Sequence, residues 1–308
     1  MKIYRSVDEL VGHTPLLECQ NFSASYELAA PLLAKLEYFN PAGSIKDRVA
    51  LNIIEQAEKG GLLAPGAVII EPTSGNTGIG IAAIAAAKGY KAIIVMPENM
   101  SEERKLLMKA YGAELVLTPA AEGMSGALAK ADEIKAANPG SIIAGQFTNP
   151  ANPWAHYLTT APEIWEDTDG KVDVLVAGAG TGGTISGIGK YLKEKNPQIH
   201  IVAVEPANSP LLSQGKFGPH GLMGIGANFI PETLDQNIYD EIIPVWEEDA
   251  YLYGRRFAAK EGILVGITSG AALYAAVQVA KRETFKGKNI VVILPDSGER
   301  YLSTPMFK

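Results

Sequence analysis

One cysteine, Cys19, occurs in 308 residues, and that scarcity excludes an internal disulfide framework and any thiolate metal cluster. With polar neighbours and no visible base, Cys19 reads as a packing residue rather than a nucleophile. Histidine is nearly as sparse. His13, His156, His200 and His220 stand far apart with no HExxH or other short ligand spacing, so no protein metal site is expected. Long apolar runs are missing too, and MKIYRSVDELVGHTPLL lacks the apolar core and cleavage site of a secretory leader, which predicts no membrane span and a cytoplasmic protein. Basic clusters are absent: 27 Lys+Arg against 34 Asp+Glu give a formal net charge of -7. Such a field repels phosphate backbones, so nucleic acid is not an expected partner.

What the chain does have is an ordinary globular composition, 47% hydrophobic and 20% charged, in a length that favours two lobes over one. From residue 44 onward, helical patterns alternate with apolar, β-branched runs: AVII at 67–70, KAIIVM at 91–96, VDVLVA at 172–177, IHIVAV at 199–204 and NIVVIL at 289–294. That alternation predicts an α/β fold with mostly parallel sheets and flanking helices. The proline- and asparagine-rich stretch NPANPWAHY at 149–157 marks the expected domain crossing. It sets an N-terminal α/β lobe at 1–148, whose first ~35 residues can cross onto the other lobe, against a C-terminal α/β lobe at 149–308. No fixed-period repeat or low-complexity tract occurs.

Three glycine-rich turns, PTSGNTGIG at 72–80, GAGTGGTISG at 178–187 and GITSGAA at 266–272, are read as strand-to-helix junctions that aim free backbone N–H groups outward. Gly178, Gly180 and Gly183 satisfy GxGxxG, with Glu205 at the end of the next strand, as in a dinucleotide fingerprint. No hydride-transfer partner accompanies it. Any one of these turns is ordinary, but three together argue for anion binding. SIKDRVALNIIEQAEKGG reads as a helix with Ser44 and Asp47 as a capping box and Gly60-Gly61 as its stop, which puts Lys46 in the first turn. There the dipole repels a cation. A solvated surface lysine is one reading; a lysine of lowered pKa, able to condense with an aldehyde and act as a base, is the other.

Taken in order, NPAGSIKDR, EPTSGNTGIGIA, GQFTNPANP, GAGTGGTISG, GIGANFIP, GITSGAA and GERYLST resemble the cysteine synthase (O-acetylserine sulfhydrylase) family, of the cysteine synthase/cystathionine β-synthase group, over nearly the whole chain. The resemblance implies the two-lobed, tryptophan synthase β-like fold type II of pyridoxal 5'-phosphate enzymes, and a homodimer. It implies that Lys46 is the Schiff-base lysine and the base for the substrate α-proton. Gly180, Thr181, Gly182, Gly183 and Thr184 match the phosphate cradle, Asn76 the partner of the cofactor 3'-oxygen and Ser269 the partner of the pyridine nitrogen. Thr73, Ser74, Gly75 and Thr77, with Gln146, match the substrate-carboxylate site. The implied reaction is β-replacement through an aminoacrylate, O-acetyl-L-serine plus sulfide giving L-cysteine plus acetate.

Departures from the family pattern are Asp296-Ser297, as in cystathionine β-synthases, Met223 in place of a glutamine, and Gly145 in place of a glutamine. The competing readings are addition of homocysteine to the same intermediate, O-phosphoserine as donor, a serine or threonine dehydratase, and an NAD-dependent oxidoreductase. No extra arginine near the substrate motifs marks O-phosphoserine as the donor, which ranks it low. A further implied partner is the C-terminal tail of serine acetyltransferase.

Overall fold

Runs dense in Ile and Val become strands here because branched side chains suit a pleated surface covered on both faces. In the computed structural model, which describes residues 3–308, the chain begins β1 (Leu16–Cys19), α1 (Gln20–Ala24), β2 (Leu32–Leu36) and α2 (Lys46–Lys59). It continues β3 (Val68–Pro72), α3 (Asn76–Lys88), β4 (Lys91–Pro97), α4 (Glu102–Ala110), β5 (Glu114–Thr118), α5 (Gly123–Ala137), β6 (Ile142–Ile143) and α6 (Ala151–Ala155). A π-helical turn, His156–Thr160, leads into α7 (Ala161–Asp167), β7 (Val174–Gly178), α8 (Gly183–Lys195), β8 (His200–Pro206) and α9 (Leu211–Gln214). The last elements are β9 (Glu241–Val245), α10 (Glu247–Glu261), α11 (Ile267–Ala280) and β10 (Ile290–Leu294). Among the described residues no helix is long and apolar enough to cross a membrane.

These elements form two units, residues 3–11 with 40–152, and residues 12–39 with 153–308. The first holds a four-stranded sheet ordered β5-β4-β3-β6, parallel throughout. The second holds a six-stranded sheet ordered β1-β2-β10-β7-β8-β9, parallel except where β1 meets β2. Its core is built from β10, β7 and β8 with α11, which is apolar on nearly every face and buried along almost its whole length. In the first unit α3 is the equivalent: NTGIGIAAIAAAK is buried from Thr77 to Ala85, lying between its sheet and α2. The C-terminal segment packs, with Met306 fully buried and its carbonyl accepting from Arg255 Nη1 at 2.7 Å.

Two of the buried ionisable side chains each fix a segment. Lys35, on β2, places Nζ 2.6 Å from the Thr14 carbonyl and 3.1 Å from both Glu163 Oε2 and Asp167 Oδ2. An ammonium withdrawn from water is tolerated only with such partners. In the other unit Glu71, on β3, accepts from Gly145 N at 2.7 Å and Gln146 N at 3.4 Å, tying the loop after β6 to the sheet. Burial raises its carboxyl pKa to about 7, against the lowering effect of those hydrogen bonds.

Replacing Lys35 by Ala strands Glu163 beside Asp167 and should cost about 3 kcal/mol, less than a fully enclosed triad because Asp167 is partly exposed; a shift in the urea midpoint reads this out. Glu71 binds a proton in the folded state up to about pH 7, whereas the unfolded carboxyl releases it near 4.5. Its contribution is therefore most favourable below 4.5 and falls by about 3 kcal/mol as pH rises to 7. The difference in stability between the parent and Glu71→Gln, measured by denaturation from pH 4.5 to 8, should fall across that window and then level off.

Candidate active site

Lys46 is the first residue of α2 and is half-buried. The expected Ser44–Asp47 capping box does not form. Ile45 occupies the cap position, Ser44 Oγ accepts from Lys46 N at 3.2 Å, and Asp47 Oδ2 reaches back to Ala42 N at 2.6 Å. The carboxylate thereby closes the turn before the helix and fixes the direction from which Lys46 leaves it. On the other side, α3 presses against this same point: a methyl on Gly80 would stand 3.0 Å from the Lys46 carbonyl oxygen. The lysine is thus set on two packed helices rather than on a loop.

The same contact brings Lys46 beside the turn that starts α3. Thr73 and Thr77 are buried while Ser74, Gly75 and Asn76 are partly open, and the helix begins at Asn76 with no side-chain cap. The positive end of its dipole therefore faces the turn, where it favours an anion. Gln146 joins from the loop after β6: its Oε1 accepts from Thr77 Oγ1 at 2.5 Å, and its carbonyl accepts from Asn152 Nδ2 at 2.7 Å. Arg104, from α4, donates from Nη1 to the Ser74 carbonyl at 3.4 Å. The reading that no extra arginine accompanies the substrate motifs is corrected: this guanidinium, nearly buried, comes from 30 residues along the chain and is spent in part on the backbone of the turn.

In the second unit β7 ends at Gly178 and α8 starts at Gly183, with Gly182 in the cap position at φ 80. A side chain at Gly182 would be strained by that φ and would run into Leu234. The turn is pinned by Thr233 Oγ1, which donates to the Thr181 carbonyl at 2.6 Å, while Thr181 Oγ1 accepts from Gly183 N at 3.4 Å. Ser269, in the first turn of α11, is fully enclosed and its Oγ has no hydrogen-bond partner. An orphaned buried hydroxyl loses on the order of 1–3 kcal/mol unless something bonds to it. A tight glycine cradle at one helix start and an unsatisfied hydroxyl at another are the features a phosphate and a pyridine nitrogen would use, so the residues present fit pyridoxal phosphate.

The dinucleotide reading fails on Glu205. Its carboxylate accepts from Leu212 N at 2.8 Å, Ser213 N at 3.2 Å and the Ser213 hydroxyl, so it caps α9 and is not free for a ribose. A second correction concerns GITSGAA, which follows α10 and a short connection rather than a strand. The departures from the family pattern also find places. Met223 works through its carbonyl, which accepts from Thr268 Oγ1 at 2.8 Å. Gly145 donates its N–H to Glu71, and Asp296 is buried, accepting from the Tyr301 hydroxyl at 2.6 Å.

Sequence reasoning passed over two buried polar residues that touch the site. Glu71 stands two positions before Thr73, and an acid closing an apolar strand was the available signal. His156 was read only as a metal ligand that lacked neighbours; its Nε2 lies 3.3 Å from Thr184 Oγ1.

Residues 7–296 match the family model described as pyridoxal-phosphate dependent enzyme. A cysteine synthase of Staphylococcus aureus (strain Mu50 / ATCC 700699) is 55% identical over 303 residues, 98% of this chain and 96% of that protein. The crystal structure of cysteine synthase from Entamoeba histolytica superposes with a TM-score of 0.96 at 47% identity, covering 99% of this chain and 91% of that one. A hydrogen sulfide-producing enzyme from Fusobacterium nucleatum gives 0.93 at 48% identity, covering 97% of this chain and 100% of that one. With glycine cradle, helix-borne lysine and near full-length identity all in agreement, the chain belongs to the pyridoxal-phosphate dependent enzymes and, within them, to the cysteine synthases.

Proposed function

We propose that this enzyme makes L-cysteine and acetate from O-acetyl-L-serine and sulfide, with pyridoxal phosphate held by Lys46, Asn76, Ser269 and the Gly180–Thr184 turn. The observation that carries the reading is the unpartnered Ser269 hydroxyl, fully buried at the start of α11. A hydroxyl, unlike a carboxylate, does not stabilise a protonated pyridine, and that moderates the cofactor in favour of β-elimination over transamination. When bound, the cofactor supplies the electron sink that acidifies the substrate Cα–H.

The rest follows from side chains. The uncapped start of α3, with Thr73, Ser74, Gly75 and Thr77, receives the substrate carboxylate, and Gln146 borders it, its oxygen engaged by Thr77 and its side chain bonded to Glu71. That fixes the Cα–H against Lys46, whose ε-amine takes the proton. The Cβ–O bond breaks and acetate leaves with the electron pair. Hydrosulfide then bonds to Cβ, and the Lys46 ammonium returns its proton to Cα. A lysine anchored at both its turn and its carbonyl side can serve twice without losing its place.

The resemblance also supports a cytoplasmic homodimer whose substrate site is visited by the C-terminal tail of serine acetyltransferase. A peptide of that tail should compete with O-acetyl-L-serine, and non-competitive behaviour would remove the partner. For the reaction itself, the yellow absorption of the purified protein should shift on adding O-acetyl-L-serine and revert with sulfide as cysteine appears. Lys46→Ala, reconstituted with the cofactor, should lose turnover by about 10³-fold or more. Faster consumption of L-homocysteine than of sulfide would hand the second half-reaction to the cystathionine reading that Asp296-Ser297 suggested.

A further inference from the structure

His156 is fully buried in the π-helical turn His156–Thr160. Its Nδ1 lies 2.9 Å from Thr160 Oγ1, also fully buried, and its Nε2 lies 3.3 Å from Thr184 Oγ1, on the second residue of α8. The approach is made possible by Gly187, one turn along α8: a methyl there would meet the Pro153 carbonyl oxygen and stand 2.9 Å from His156 Cβ. Wide π turns cost hydrogen-bond geometry and recur where a side chain must be delivered to a functional position. Here the delivered group is the imidazole.

We propose that His156 is a positioning residue that orients the Thr184 hydroxyl toward the cofactor phosphate, an inference that rests on reading Gly180–Thr184 as the phosphate site. A threonine hydroxyl has one proton. If Thr184 gives that proton to the phosphate, its oxygen must accept from His156, so Nε2 carries the ring proton. Nδ1 then presents a lone pair, and Thr160 donates to it. The chain Thr160 O–H to Nδ1, Nε2–H to Thr184 O, Thr184 O–H to phosphate has one polarity from end to end. Without the ring, the Thr184 hydroxyl is free to turn back on a carbonyl of the preceding turn, the usual competing partner for threonine in a helix.

The two amide isosteres separate this role from packing. In His156→Gln the side-chain nitrogen falls near the Nε2 position, whereas in His156→Asn the amide reaches only the Nδ1 position. Both variants, with Thr160→Val and Thr184→Ala, would be titrated with pyridoxal phosphate by fluorescence, and the bound phosphate followed by ³¹P NMR. His156→Gln should bind within about threefold of the parent, while His156→Asn and Thr160→Val should bind about five- to thirtyfold more weakly with a displaced ³¹P resonance. In a Thr184→Ala background the His156→Asn loss should largely vanish. Parent-like affinity and ³¹P shift in His156→Asn, or an undiminished loss in the Thr184→Ala background, would overturn the inference. If His156→Asn does not fold, the Thr160→Val and Thr184→Ala pair decides, with additive losses counting against the relay. A parent that binds no pyridoxal phosphate would remove the functional reading as well, whereas a binding parent with indifferent variants removes only the role of His156.

Discussion

In a parallel sheet every strand must be followed by a crossover, and the constraint leaves helix starts with unpaired N–H groups at the carboxyl ends of the strands. Each of the two sheets obeys it separately. The β3–α3 junction yields the Thr73–Thr77 turn, and the β7–α8 junction yields the Gly180–Thr184 turn. Neither helix carries a side chain at its cap position that bonds its first turn, so the positive end of each helix dipole is left facing an anion. Site chemistry in this chain is a by-product of sheet topology, sharpened by a few residues that would be poor choices elsewhere.

Those few residues are buried polar groups, each bonded to a loop rather than to solvent. Glu71 holds the Gly145–Gln146 backbone, and Thr77 then fixes the Gln146 carboxamide. Thr233 pins the Thr181 carbonyl. A hydrogen bond in an enclosed setting is costly to leave unmade, so such loops have few alternative conformations of similar energy. Rigidity where ligands arrive is therefore supplied by polar contacts, while α3 and α11 contribute apolar bulk.

The strands quoted from the sequence, and the place of Lys46 at a helix start, were legible because they follow local rules: period, branching and stop signals. β2 and β9 were obscured by Lys35 and Pro244, single residues that interrupt an apolar run, and β6 is too short to carry a pattern. The capping of α9 by Glu205, the reach of Arg104 to Ser74 and the ring of His156 beside Thr184 all depend on partners outside the local pattern. Family resemblance reached the glycine turns because motifs are contiguous; it passed over the residues that hold them from outside the motif.

The π turn at His156–Thr160 contains one more residue than a regular helix of the same rise would need. Loss of a single codon there would restore an unbroken α ladder and, by itself, a more regular helix. It would also rotate one flank by about 100° relative to the other, carrying the imidazole off the face that meets α8. A regular helix and an imidazole delivered to α8 are therefore alternatives at this point, and the single extra residue of the turn is what separates them.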